Sequence, residues 1–571
     1  MFQNGKIRSI FSGTCKAWKE NYFQLAPLLF AVVLLMAEMS AYKVFRINKS
    51  FFNPLFQAMP LVLFIYGLGW IIAGKTAKIL FTITLTAATV LTWLAVFTAI
   101  VFKLPLDSDI FAVLSASSPE ESKEFFAVFA NWKVFLSAAL SSGILGTLLF
   151  FLWKNPCRRN KFVAATGAVL MLPFITGCLR FTIKKEYIEI CERNLETKLP
   201  VGYLVFKKNL DELVTMALHP KLPQDIRRLS DKKIVGVLVL GESATRNHWG
   251  LYGYLRNTTP QMSRIKNDLL VFEDAISPWA VTTETCKMMF STAEFPGIQP
   301  LDFTIFSVLK KAGFDVICIS NQFRWGKHDG PVNILYSPAA VREFTQEQVR
   351  RAKDSVAVER MSQYLSKAER PTLIVLQLMG SHAAFRERYP EKFRIFDGVQ
   401  DQSNKNFPAK TAKMINEYDN SVFYTDYLLG QVISMIRDLA HPGFVMYLSD
   451  HGETPEIRGG RSNRSLIRSC YEIPLLFYGN PHYKQAFPDF MKSAAANVRK
   501  PYMTDHLDYA ILSTLQVTYK DFPSEKNLFS ADFAGRETRL FSAQQKVYCK
   551  KEVQKPFVTN SKGELQSVQK L

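Results

Sequence analysis

The sequence predicts a chain in two parts: an N-terminal bundle of five transmembrane helices, then an α/β domain with a doubly wound, mostly parallel sheet. Three observations predict it. Nearly all the long apolar windows in the 571 residues lie in the first 182. From Lys232 to about Ser542, β-branched runs alternate with helical stretches, which implies βαβ units. Four of these runs lead into residues able to hold a metal or a phosphate: Val235–Gly241 into Glu242, Val316–Ser320 into Asn321, Leu373–Gly380 into His382, and Phe444–Leu448 into Asp450 and His451. Sites in open parallel sheets form just beyond the carboxyl ends of strands. Four such ends in one domain predict a single site, and Glu, Asp and His form a ligand set suited to Zn²⁺.

The apolar windows cover approximately 24–43, 54–74, 79–102, 134–153 and 162–182. Each can cross a hydrocarbon core of about 30 Å, which takes roughly 20 helical residues. No small-residue cleavage site follows the first, which excludes a signal peptide. Lys6, Arg8, Lys16, Lys19, Lys75, Lys78, Lys154, Arg158, Arg159 and Lys161 outnumber Lys43, Arg46, Lys49, Lys103, Lys123 and Lys133 on the other side. The N-terminus is therefore expected in the cytoplasm, and an odd number of spans places everything after 182 in the periplasm. Between the third and fourth spans, Ser118-Pro119-Glu120-Glu121 reads as a helix start. Phe125, Phe126, Phe129 and Trp132 follow at helical spacing, as in a helix lying on the bilayer surface or packed in a loop.

Residues 183–231 are expected to form a basic bridge at the membrane surface. Leu204, Leu210, Leu213, Val214 and Leu218 share one helix face there and could brace the outer domain on the membrane. The catalytic domain is expected over 232–545, and a polar, basic tail over 546–571. The net charge of +20 calls for an anionic partner. Because the basic residues flank apolar runs and form no nucleic-acid motif, that partner is membrane lipid rather than nucleic acid. Cys191, Cys286, Cys318, Cys470 and Cys549 would lie outside the membrane; five is odd, so at least one thiol is free or intermolecular.

Two segments carry the chemistry. In Ser449–Glu453 (SDHGE), adjacent Asp450 and His451 directly after a buried strand can both hold one metal. In Ala280–Ser291 (AVTTETCKMMFS), Thr282 or Thr283 precedes a helical run. A hydroxyl at a helix N-cap lies where free N–H groups and the helix dipole favour a phosphate. A bound Zn²⁺ would lower the hydroxyl's pKa and make it a nucleophile.

Together with GESATRNHWGLYGYLRNTTPQM (Gly241–Met262), LMGSHAAFRERYP (Leu378–Pro390) and EYDNSVFYTDYLL (Glu417–Leu429), these segments resemble the inner-membrane phosphoethanolamine transferases of Gram-negative bacteria. The outer domain of that family has the alkaline phosphatase/sulfatase fold. The wording is closest to the branch that modifies lipopolysaccharide core sugars. The resemblance implies a phosphatidylethanolamine donor, a lipopolysaccharide acceptor (lipid A or core sugar) and a covalent phosphoethanolamine–enzyme intermediate. By position it makes Glu242, Thr282, Asp450 and His451 the zinc ligands and Thr282 the nucleophile. His382 would steady the phosphoryl group or assist proton transfer, and Asn321 and Lys327 fall in a substrate-contact loop. There are departures. The family's further histidine after DHGE is missing, since Gly452–Asn480 holds none, and Arg458, Arg461, Arg464 and Arg468 stand there instead. One zinc is thus expected rather than two, with Arg461 among the arginines that could clamp phosphate. In the surface loop only Glu120 survives to meet an ethanolamine ammonium. The same fold could move a different headgroup, as a phosphoglycerol transferase, or serve as a non-catalytic receptor.

Overall fold

The computed structural model describes helical stretches between residues 64 and 172, chiefly Gly74–Val101 (α1) and Trp132–Lys154 (α2). It also describes 195–541, apart from 296–300, 323–330, 350, 399 and 457–466, together with 546–548. Expected span 24–43, most of 54–74 and 162–182, nearly all of 104–131, and the tail beyond 548 lie outside the described residues. So do Glu120, Lys327 and Arg461. The chain divides into two compact units, residues 1–114 with 129–207, and residues 115–128 with 208–571.

In the first unit, α1 and α2 fall on the expected spans 79–102 and 134–153. They are joined by Lys78 Nζ donating to Trp153 O (3.0 Å) and Trp153 Nε1 donating to Thr82 Oγ1 (3.0 Å). Among the described residues, Val134–Lys154 is the one helix long and apolar enough to cross a membrane.

The second unit is built on a seven-stranded sheet. In chain order its strands are β1 (Val235–Gly241), β2 (Leu270–Val271), β3 (Asp315–Ser320), β4 (Val341–Phe344), β5 (Thr372–Gln377), β6 (Gly443–Ser449) and β7 (Leu475–Gly479). Their spatial order is β2-β7-β6-β1-β5-β3-β4. The central strands pair in parallel, and β7 runs antiparallel to both β6 and β2. The expected mostly parallel sheet is therefore a mixed one, with a single reversed strand near one edge.

The central strands read as unbroken apolar runs because both faces are covered. The alternation of side chains across each strand sorts them into two cores. Leu238, Leu240, Leu373, Val375, Phe444, Met446 and Leu448 enter one core. Helices Thr282–Phe290 (α4), Ile305–Lys311 (α5) and Leu507–Thr514 (α8) close it. Val235, Val237, Val239, Ile374, Leu376, Val445 and Tyr447 enter the other, closed by Asp354–Leu365 (α6) and Ala409–Arg437 (α7). From Lys208 onward, helix Leu195–Leu218 (α3) also joins the first core. Its Leu210, Leu213 and Val214 pack there, so the apolar face expected to brace the domain on the membrane is spent on the domain's own interior; Leu218 is exposed. Lys546–Tyr548, assigned by the sequence to the tail, pair with Arg539–Phe541.

Gly236 lies where a Cβ would be 2.3 Å from the Phe444 ring. Gly236→Ala is expected to destabilise the domain by about 1–3 kcal/mol, the usual cost of overpacking. Chemical denaturation of the two proteins checks it, and an unchanged midpoint would contradict this packing.

Candidate active site

The site grows from the register of three neighbouring strands. β1 and β6 are parallel, with Gly241 opposite Ser449, so Glu242 and Asp450 leave the sheet side by side. The Asp450 N–H still donates to Gly241 O (3.1 Å). Ser243 then turns the chain at φ +56°. Its N–H meets Asp450 Oδ1 at 3.0 Å, and the Ala244 N–H meets Ser449 Oγ at 2.8 Å. On the other flank of β1, the turn after β5 leans on Glu242: Ser381 N–H donates to Glu242 O (2.9 Å). Gly380 has φ +49°, and a Cβ there would lie 2.8 Å from Glu242 N. Only glycine meets both demands cheaply. Gly452 is equally confined, since a Cβ would fall 1.9 Å from Ser469 O.

Glu242, Asp450 and His451 are all buried, and their ligand atoms lie within 4.8 Å of one another. Among the described residues this is the one such group of His, Cys, Asp and Glu. His451 Nε2 is 3.5 Å from Glu242 Oε1 and 3.4 Å from Asp450 Oδ2. Its Nδ1 is 2.7 Å from Gly452 O. A proton on Nδ1 bridges that gap and leaves the Nε2 lone pair facing two carboxylates. Asp450 Oδ1 accepts from the N–H groups of Ser243 and His451 (3.0 and 2.7 Å), whereas buried Asp450 Oδ2 makes no hydrogen bond. Two carboxylates and an imidazole nitrogen converge here, with the hydroxyls of Ser243 (2.8 Å) and Thr282 (3.2–3.3 Å) donating to Glu242, and this set of oxygen and nitrogen ligands fits a cation of the Zn²⁺ type. The backbone and Gly452 contacts are the outer support such a site needs.

The start of α4 gives Thr282 and Thr283 different surroundings. The helix begins at Thr282, and its cap is Val281, which has no side-chain hydrogen bond to give. Thr282 thus stands at the first helical position, not at the cap. Its Oγ1 lies 3.3 and 3.2 Å from Glu242 Oε1 and Oε2. Thr283 points inward, and its buried hydroxyl has no hydrogen-bond partner. The start of the helix is held by Thr285, whose Oγ1 donates to Trp279 O (3.1 Å) and lies 3.3 Å from Ser277 Oγ. Cys286 lies one turn along α4 from Thr282. Burial first, and then the charges of Asp450 and Glu242, push its thiol well above the usual range. Cys286, Cys318 and Cys470 are buried and form no disulfide.

The other expected site residues are placed differently. His382 is half-buried in the turn after β5, its N–H donating to Met379 O (3.1 Å). Asn321, expected to touch substrate, is fully buried. Its amide donates to Asp354 Oδ1 (2.7 Å) and Ala352 O (3.1 Å), and its Oδ1 accepts from Thr345 and from Gln346 (3.1 Å). With its polar atoms spent inside the protein, Asn321 supports the site instead of meeting a ligand. It does so through Asp354, which accepts the N–H groups of Met379 and Gly380 (2.7 and 2.9 Å) and so shapes the turn carrying His382. Asp354, Ser243 and Tyr418 were not read from the sequence. Tyr418 OH donates to Ser243 O (2.9 Å) and accepts from Thr245 N–H (2.9 Å). A buried Asp or Tyr of this kind carries no local pattern that distinguishes it.

Residues 235–517 match the family model described as Sulfatase. The phosphoethanolamine transferase EptC of Escherichia coli (strain K12) is 22% identical over 559 residues, covering 92% of this chain and 94% of that protein. Among solved structures, the C-terminal periplasmic domain of the E. coli EptC, in complex with Zn, superposes with a TM-score of 0.54. It is 23% identical and covers 58% of this chain and 96% of that one. The integral membrane protein lipooligosaccharide phosphoethanolamine transferase A of Neisseria meningitidis gives a TM-score of 0.63 at 18% identity. It covers 89% of this chain and 97% of its own. With an acid–imidazole group at the carboxyl ends of a sheet of this topology, residues 235–517 resemble the Sulfatase family, and the chain is similar over most of its length to the phosphoethanolamine transferase EptC.

Proposed function

We propose that the protein is a zinc-dependent phosphoethanolamine transferase of a bacterial inner membrane, taking phosphoethanolamine from phosphatidylethanolamine and passing it to lipid A or a core sugar of lipopolysaccharide. The observation that carries this reading is the Thr282 hydroxyl at 3.2 Å from Glu242, in the group completed by Asp450 and His451. The name of the E. coli relative supports the transferred group, that of the Neisseria protein supports the acceptor class, and the zinc complex of the E. coli domain supports the metal.

Glu242, Asp450, His451 and Thr282 would hold the zinc. When bound, it supplies positive charge that lowers the pKa of the threonine hydroxyl and offsets charge on the phosphoryl group. Thr282 Oγ attacks the phosphorus, the bond to the glyceride oxygen breaks, and diacylglycerol leaves with a proton. The phosphoethanolamine is then ester-linked to Thr282. An acceptor hydroxyl or phosphate attacks the same phosphorus, and Thr282 recovers its proton. The helix start that carries Thr282 turns N–H groups toward the phosphoryl oxygens. His382 assists proton transfer at the leaving or entering oxygen. Glu120, Lys327 and Arg461 complete the reading as substrate contacts.

Donor lipid requires membrane access. Ile83, Val90, Phe135, Leu140 and Phe150 on α1 and α2 are exposed, which suits helices solvated by lipid, and the excess of Lys and Arg on the N-terminal side sets a periplasmic domain. The full five-span arrangement and the boundaries at 182, 231 and 545 belong to the same proposal. The test uses purified full-length protein in vesicles with lipopolysaccharide and either headgroup-labelled phosphatidylethanolamine or headgroup-labelled phosphatidylglycerol. Label from the first, with diacylglycerol released in equal amount, is the expected outcome. Transfer from the second alone would assign the enzyme to phosphoglycerol chemistry.

A further inference from the structure

Two segments with no role in the mechanism above meet in one buried ionic cluster. His248 follows Glu242 by six residues, and Glu456 follows His451 by five. His248 Nδ1 lies 2.7 Å from Asp419 Oδ1 on α7, and His248 Nε2 lies 2.7 Å from Glu456 Oε1. Both ring nitrogens face carboxylate oxygens, so both must carry a proton. Burial alone would lower the His248 pKa, but Glu456 and Asp419 raise it to about 10.

The partners are themselves fixed. Asp419 Oδ2 accepts from Tyr254 OH (3.0 Å) and Arg256 Nη1 (2.7 Å). Arg256 Nε reaches Asp401 Oδ2 (2.8 Å). Glu456 Oε2 accepts from Thr454 Oγ1 (3.1 Å). The imidazole is packed between Tyr254 and Tyr418, with ring centroids at 4.6 and 5.0 Å. Tyr418 in turn holds the backbone of Ser243 and Thr245.

We propose that His248 is a positioning residue, an ionic staple that joins the turn leaving Glu242 to the strap Gly452–Glu456 leaving His451, and thereby fixes the spacing of the metal-holding side chains. The two segments start from adjacent strands, and the His248–Glu456 pair ties them together beyond the site. The strap matters because Gly452 O orients the His451 ring. Loosening Glu456 frees the strap, lets the His451 imidazole turn and weakens its hold on a cation. The metal part of this inference rests on the zinc reading; the staple itself does not.

The test compares full-length wild-type protein in detergent with His248→Gln and Glu456→Gln. Hydrogen exchange of the peptide spanning 451–456 is followed in metal-free protein, and zinc retention is measured against a chelator in loaded protein. Both variants are expected to lose protection in 451–456 and to bind zinc about 10–100-fold more weakly, the scale on which outer partners of metal ligands act. The double variant should be no weaker than either single one, as for one shared interaction. Unchanged exchange in Glu456→Gln, the milder replacement at the cluster's edge, overturns the staple even where His248→Gln fails to fold. Lost protection with unaltered zinc affinity overturns the positioning role. A wild-type protein that binds no zinc overturns the metal reading, while the exchange data still decide the staple.

Discussion

Thr282→Ala is expected to abolish headgroup transfer, with a fall on the order of 10³-fold or more, the scale seen when a covalent nucleophile is removed. In the proposed mechanism the threonine hydroxyl is the attacking group: it stands at the first position of α4, 3.2–3.3 Å from both oxygens of Glu242. The replacement removes only Oγ1 and a methyl from a half-buried site, so the fold should persist. Thr282→Ser keeps the oxygen and should recover a measurable part of the rate. Thr283 provides the contrast. Its hydroxyl is buried without a partner, so Thr283→Val removes an unsatisfied polar group and should leave both activity and stability near wild type. Mass spectrometry of the peptide carrying Thr282, after incubation with donor lipid alone, should find phosphoethanolamine on that residue. Label on Thr283, or undiminished transfer by Thr282→Ala, would overturn the assignment.

Asp450→Asn should separate metal binding from folding. Asp450 Oδ1 accepts two backbone N–H groups, and an asparagine oxygen can keep both. Oδ2 is buried and makes no hydrogen bond, and beside it lie the Glu242 carboxylate and the His451 Nε2 lone pair. In metal-free protein the replacement removes a buried negative charge from next to another, so the melting temperature should hold or rise. In zinc-loaded protein it removes a ligand, so affinity should drop by more than about 100-fold, beyond the cost of losing an outer partner. Melting curves with and without zinc give both signs in one experiment. If Asp450→Asn lowered metal-free stability by several degrees and left zinc binding intact, Asp450 would be a structural residue.

The strand ends could be read from sequence because the signal is local. A run such as Val235–Gly241 is apolar at every position because both faces of its strand are buried, and a charged residue directly after it can only sit at the sheet's rim. That logic located Glu242, Asp450 and His451 without knowing which strands were neighbours. It failed for Asn321, which has the same sequence context but turns its amide inward to Asp354 and Ala352. Local pattern reports where a strand ends, not which way the next side chain points. It also left the face of α3 open: the stripe Leu210, Leu213, Val214 has the period of any amphipathic helix, and periodicity does not say whether the partner is lipid or a neighbouring sheet.

By itself, then, the sequence determined the α/β domain, its buried central strands, the acid–imidazole group at their ends, and the threonine-bearing helix start. Each of these is written in consecutive residues or in a fixed period. The tertiary structure decided the rest: which threonine hydroxyl stands beside Glu242, the His451 nitrogen that faces the carboxylates, and the meeting of His248 with Asp419 and Glu456 across 171 and 208 residues of chain. Those outcomes depend on strand register and on the angle at which a helix starts, which are set by packing in two cores at once, and hydrogen bonds reaching across such distances leave no trace in the order of neighbouring residues.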